Sequence, residues 1–197
     1  MTTVALLYLH GLGSSGNSDT GQFLEQHFGQ THRVLRPDYR PQFFVESVQA
    51  IDRWIQQLGE DAERVAILGS SMGGWQALHA LARHPQLQVL ALNPVLAPAA
   101  LATSAPPDQV DHRSGDPLPW PQPIRVEDFP PAPLATLPAQ QLRVLIGRHD
   151  DVVPPQPTID ACATFDISHR VLPWGHRAEF GSVLRDEVAE LLGRSQA

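Results

Sequence analysis

Six short apolar runs, set apart by stretches long enough to carry a helix or a return loop, constrain the fold of this 197-residue chain more than any other feature. They are Val4–Leu9, Arg33–Leu35, Val65–Leu68, Val89–Leu92, Leu142–Ile146 and Arg170–Leu172. A period near 3.6 appears between them, in Val45, Val48, Ile51, Ile55 and Leu58, and again in Trp75, Leu78, Leu81 and Ala82. A last helical pattern holds Val183, Leu184, Val188, Leu191 and Leu192, with Gly193 placed to end it. Strands that alternate with helices need crossover connections, and crossovers place helices on both faces of a parallel sheet. The expected fold class is therefore α/β: a three-layer sandwich with a mostly parallel sheet of about six strands, in one domain over residues 1–197.

One stretch breaks the alternation. Between Pro94 and Pro138 lie twelve of the chain's 19 prolines, which excludes a helix of ordinary length. Loops this long inside a compact domain are mostly functional or disordered. The position suggests that residues 94–138 form a cap-like insertion over an active site. Trp120 is the one tryptophan there and is expected to touch substrate.

Composition excludes several classes. A formal net charge of −7 and no basic stripe argue against nucleic acid as a partner. A hydrophobic fraction of 42% with 18% charged residues fits a folded globular chain. The run Val4–Leu9 has no positive flank and is too short for a signal peptide or a membrane span. The expectation is thus a cytoplasmic protein with no span. Cys162 is the single cysteine, so no intrachain disulfide can form. No Cys/His spacing suggests a metal site, and no cofactor is expected.

The chemistry concentrates in Gly69-Ser70-Ser71-Met72-Gly73-Gly74, between a strand run and a helical one. The pattern G-x-S-x-G in that context is a nucleophile elbow, a tight turn that raises the serine hydroxyl above the sheet. The turn brings two backbones close, which requires small residues around the serine. Met72 then opens the helix, so its backbone N–H becomes one oxyanion donor. A serine hydroxyl needs a base. Among nine histidines, His176 alone follows the last strand and precedes the last helix, in the chain order Ser, acid, His. The acid falls in the loop after the fifth strand, where Asp150 and Asp151 compete. One would orient the imidazole and the other cap a turn or a short helix near Pro154 or Pro155. The second oxyanion donor should come from His10-Gly11-Leu12-Gly13-Ser14-Ser15-Gly16, with the Leu12 N–H as the candidate.

That same loop also reads G-x-G-x-x-G, with Asp38 about twenty residues on, the pattern of a dinucleotide site. In such sites the helix starts within the glycines. Here Asn17-Ser18-Asp19-Thr20-Gly21 continue as turn formers, and Ser71 and His176 would be left without a role.

The segments Tyr8-Leu9-His10-Gly11-Leu12-Gly13-Ser14-Ser15, Leu68-Gly69-Ser70-Ser71-Met72-Gly73-Gly74 and Leu92-Asn93-Pro94 resemble the small YqiA-type bacterial esterases, compact α/β-hydrolases that lack the first strands of larger relatives. The resemblance covers the chain length and the motif order. It implies an esterase with Ser71 as nucleophile, His176 as base, and Asp150 as acid through its placement in G-x-x-D-x-x-V. The proline-rich stretch does not match the family. The expected activity is cleavage of small carboxylic esters or thioesters through an acyl-enzyme on Ser71. An acyltransferase or peptidase with the same triad, or a non-catalytic binding module on this scaffold, are the alternatives.

Overall fold

A computed structural model describes residues 3–100, 110–111, 114–121 and 125–193. Its six strands are β1 (Val4–Leu9), β2 (Arg33–Leu35), β3 (Arg64–Ser70), β4 (Gln88–Leu92), β5 (Leu142–Gly147) and β6 (Ser168–Leu172). They form one sheet in the order β2-β1-β3-β4-β5-β6, and every neighbouring pair is parallel. Five longer helices connect them: α1 (Asp19–Phe28), α2 (Phe44–Gly59), α3 (Met72–Arg83), α4 (Pro155–Thr164) and α5 (Ser182–Gly193).

The central strands β1, β3, β4 and β5 are buried on both faces, as a parallel sheet requires. Alternate residues of the central strands divide between two apolar clusters. Leu7, Leu9, Ile67, Ala91 and Val144 pack with α2, α3 and α4. Leu6, Tyr8, Leu68, Leu92 and Leu145 pack with α1 and α5. This is the three-layer sandwich that the alternating pattern requires. All six residues of β1 are buried, which explains why Val4–Leu9 is a continuous apolar run.

Two local expectations need correction. Val45 was placed on the buried face of α2, but it is exposed, and Phe44, Ser47, Val48, Ile51, Ile55 and Leu58 carry that face. Phe44 wins the position because its ring meets Trp75 and His79 of α3, at 4.9 and 4.8 Å between centroids. Thr20 and Gly21 do not continue a turn but lie in the first turn of α1. The Ser18 hydroxyl accepts the Gly21 N–H and caps that helix.

In the proline-rich stretch, residues 101–109, 112–113 and 122–124 of the expected cap lie outside the described residues. The described parts hold helical residues at 98–100, 3-10 turns at Val126–Asp128 and Leu134–Thr136, and a lone antiparallel bridge between Val110 and Pro117, with a further 3-10 turn at Ala139–Gln141 just beyond. The stretch is fastened to the body by side chains. Trp75 Nε1–H donates to Pro130 O at 2.8 Å, and Gln42 Nε2–H donates to Pro119 O at 2.7 Å. Phe129 and Val95 are buried against Met72 and Trp75.

The parallel register brings Leu9, Ser70, Leu92, Gly147 and Leu172 to one end of the sheet. In open α/β sheets, ligands bind outside these carboxyl ends.

Candidate active site

Ser71 stands where β3 becomes α3, with φ +55° and ψ −119°. A side chain in this region of backbone space is strained, and such strain is held only where surrounding contacts enforce it. The enforcing contacts are visible. The Ser71 N–H donates to Leu92 O at 2.9 Å, and the Ser71 carbonyl accepts the N–H groups of Trp75 and Val95, both at 3.2 Å. Close approach on the other side requires glycine, since a Cβ on Gly73 would lie 2.0 Å from Leu9 O. Residues 69–74 therefore form the strained strand-to-helix turn that the G-x-S-x-G pattern leads one to expect.

Asp150 and His176 reach one another from the ends of β5 and β6. Nδ1 of His176 lies 2.9 Å from Oδ2 and 3.0 Å from Oδ1 of Asp150. A carboxylate only accepts, so Nδ1 carries the hydrogen and Nε2 is left to face outward from the pair. The Asp150 side chain is 1% exposed. Its Oδ1 also accepts the N–H groups of Val152 at 2.9 Å and Val153 at 2.8 Å. Burial opposes ionisation and is the largest influence on this carboxyl. The His176 hydrogen bond, the Val153 amide, the positive charge on His176 and the Val152 amide together outweigh it and hold the group below its ordinary range.

With Asp150 as the acid, the sequence leaves Asp151 to cap a short helix near Pro154 or Pro155. Asp151 is exposed instead, and α4 begins after Pro154 with no side-chain cap. Pro155 and Pro157 in the first turn of α4 bring no N–H, which leaves a cap the Gln156 amide alone among the first three positions.

Ser71 and His176 line the same cavity of about 340 Å³, together with Leu12, Ser14, Thr20 and Arg177. Among the described residues the Ser71 hydroxyl has no hydrogen-bond partner, and a serine–imidazole bond commonly tightens only with substrate present. Met72 is the first residue of α3, so its N–H has no carbonyl within the helix. Leu12 lines the cavity in the turn after β1. That turn is held by His10, which sequence reasoning passed over. His10 is buried, its Nδ1–H donates to Gly11 O at 2.9 Å, and its Nε2 accepts the Tyr39 N–H at 3.3 Å. The Tyr39 hydroxyl donates to His10 O at 3.0 Å, and burial pushes that phenol well above its ordinary range. The signal available in the sequence was the His-Gly pair directly after a strand.

The glycine-rich loop does not have the form of a dinucleotide site. Its Gly16 N–H donates to Asp38 Oδ1 at 2.8 Å, and a Cβ on Gly16 would lie 2.0 Å from Arg36 O. The helix opens only at Asp19, beyond the last glycine. Asp38 is thus a fastening of the loop to the end of β2.

Trp120 does not line the cavity that holds Ser71. Its ring lies 6.0 Å from that of Phe129, in the apolar group that includes Met72 and Leu12. Burial pushes the thiol of Cys162 up to about 11, away from nucleophilic character. No group of three or more His, Cys, Asp or Glu side chains suited to a metal ion occurs among the described residues. No described helix is long and apolar enough to cross a membrane.

Comparison with solved structures finds the α/β-hydrolase architecture. A putative hydrolase of the α/β superfamily from Xanthomonas campestris pv. campestris superposes with a TM-score of 0.64 at 14% identity, covering 96% of each chain. An esterase from Pyrococcus furiosus gives a TM-score of 0.67 at 18% identity, over 97% of this chain and 81% of the other. A monoacylglycerol lipase from Paleococcus ferrophilus gives 0.63 at 17% identity, over 97% and 96%. No curated protein matches the sequence. A family model does match, over residues 5–166, which takes in β1, the Ser71 turn and the Asp150 loop. The chain therefore belongs to the uncharacterised protein family UPF0227, the YqiA-type family whose motifs it carries.

Proposed function

We propose that this protein is a serine hydrolase that cleaves small carboxylic esters or thioesters through an acyl-enzyme on Ser71. The observation that carries the reading is the juxtaposition in one cavity of a strained elbow serine and an imidazole whose Nδ1 is fixed by a buried carboxylate. The Ser71 hydroxyl attacks the acyl carbon as Nε2 of His176 takes its proton. Asp150 keeps the imidazole in the required tautomer and stabilises its charged form. The N–H groups of Leu12 and Met72 hold the oxyanion, helped by the positive end of α3. His176 returns the proton to the departing alcohol or thiol. Water then enters by the same base and releases the acid.

Support comes also from the fold. The esterase and the monoacylglycerol lipase named above share it, although at such identity the likeness carries architecture rather than substrate. Residues 94–138 act in this reading as the cap. Trp120 bears on acyl preference through its packing beside Leu12 and Met72, without lining the cavity of Ser71.

A hydrolysis panel of esters, thioesters and amides with graded acyl length tests the reading. Turnover of esters or thioesters that disappears in Ser71→Ala is expected. Turnover of amides alone would replace the reading with a peptidase, and no turnover in any arm would reject hydrolysis.

A further inference from the structure

The Asn93-Pro94 pair is the one motif of the sequence that the triad chemistry does not use. Asn93 directly follows β4, is buried, and adopts φ +44°. Asparagine is among the few side chains that tolerate this backbone region. Its carboxamide makes three hydrogen bonds. Oδ1 accepts the Gly147 N–H at 2.6 Å, at the foot of the acid loop. Nδ2–H donates to Gly175 O at 3.1 Å and to His176 O at 2.9 Å, within the histidine loop. The orientation of the amide is fixed by its partners, because a reversed group would set an oxygen against two carbonyls.

The flanking backbone engages the third loop. Leu92 O accepts the Ser71 N–H, and the Val95 N–H donates to Ser71 O. The acid and histidine loops are themselves close, since a Cβ on Gly147 would lie 2.3 Å from Gly175 O. Four residues, Leu92 to Val95, therefore touch the loops that bear nucleophile, acid and base.

We infer that Asn93 is a positioning residue that sets the distance between Asp150 and His176 by tying their loops together through its side chain. It touches no reacting atom. It acts through His176, whose backbone carbonyl it holds. The inference rests on the hydrolase reading above.

The test is a double-mutant cycle on ester hydrolysis. Asn93→Gly removes the carboxamide while glycine accepts φ +44° without strain. Asn93→Asp keeps the acceptor for Gly147 but turns an oxygen toward the two carbonyls, so it loosens the histidine loop alone and serves if the glycine variant fails to fold. In the wild-type background each substitution is expected to lower kcat on the order of 10- to 100-fold with KM nearly constant, the scale of a small misplacement of a catalytic group. In an Asp150→Asn background the same substitution should cost less than about threefold further, because residues acting as one unit are not additive. Equal losses in both backgrounds would overturn the inference and leave a structural role. So would full activity in both Asn93 variants. If Ser71→Ala stays active or the wild type turns over no ester, the hydrolase reading falls instead, whereas a fully active Asp150→Asn overturns the inference alone, and the two failures are told apart.

Discussion

The strand-end loops and the proline-rich stretch both pack around the start of α3, yet they are built in opposite ways. Ser71, Asp150 and His176 sit within a few residues of β3, β5 and β6, and short backbone hydrogen bonds continue the sheet into their loops. The Arg148 N–H donates to Leu172 O and the His149 N–H to Trp174 O, both at 2.8 Å. The described residues of 94–138 show only isolated backbone bonds and no such ladder. They are fixed by scattered side-chain contacts, such as Trp75 to Pro130 and the burial of Phe129. The lesson is that Ser71, Asp150 and His176 take their positions from the sheet, whereas residues 94–138 take theirs from packing. Substitutions in the first region should strike rate, and those in the second stability and selectivity.

The largest expected effect breaks or upholds the first half of that contrast. Ser71→Ala should lower ester turnover by about 10⁶-fold, the scale for loss of a triad nucleophile, while Ser70→Ala keeps most of it. Steady-state kinetics on both variants decides this, and an inactive Ser70 variant beside an active Ser71 one would reverse the assignment. Asp150→Asn comes next, at about 10⁴-fold in kcat. The same substitution bears on pH. Because the folded carboxyl titrates below the unfolded value near 3.9, its stabilisation is complete above that pH and is lost as pH falls through the folded value. Melting curves between about pH 2 and pH 5 should therefore steepen for the wild type relative to Asp150→Asn. Parallel curves would mean that Asp150 is not held ionised by its partners.

The second half of the contrast is sharpened by Phe129→Ala. Phe129 is 1% exposed, so truncation should cost about 3–5 kcal/mol, read by denaturant unfolding, with kcat for the smallest ester changed far less than stability. Trp120→Ala, at a half-buried position, should cost about 2 kcal/mol and shift preference among acyl lengths. An unaltered chain-length profile would detach Trp120 from selectivity. Smallest of all is Asp151→Asn. With an exposed, uncapping side chain it should stay within about 0.5 kcal/mol of wild type and turn over normally.

The same contrast explains what the sequence revealed. The elbow at residues 69–74, the loop of Asp150 and the loop of His176 are local signals, each a strand end followed by a turn or helix, and so they could be read directly. Asn93 was visible as a motif but not as a tie, because its partners lie 54, 82 and 83 positions away. His10 and Tyr39 are separated by 29 positions and were missed for the same reason. Asp150 and Asp151 are chemically identical in the sequence. What separates them is which carboxylate the Val152 and Val153 amides turn toward, and that is a property of the folded loop. Val45 illustrates a smaller limit. Apolar periodicity identified α2 correctly, but Val45 and its aromatic neighbour Phe44 compete for one buried position. The rings of Trp75 and His79 decide for Phe44.

The central claim is that Ser71 is an activated nucleophile, and covalent labelling with a fluorophosphonate tests it most directly. Intact-mass and peptide-level spectrometry would be run on the wild type, Ser71→Ala and His176→Ala after equal exposure. One adduct per chain, located on Ser71 and lost or strongly slowed in both variants, is the expected result. Wild-type protein that stays unlabelled, or an adduct that forms elsewhere and survives in Ser71→Ala, would contradict the account.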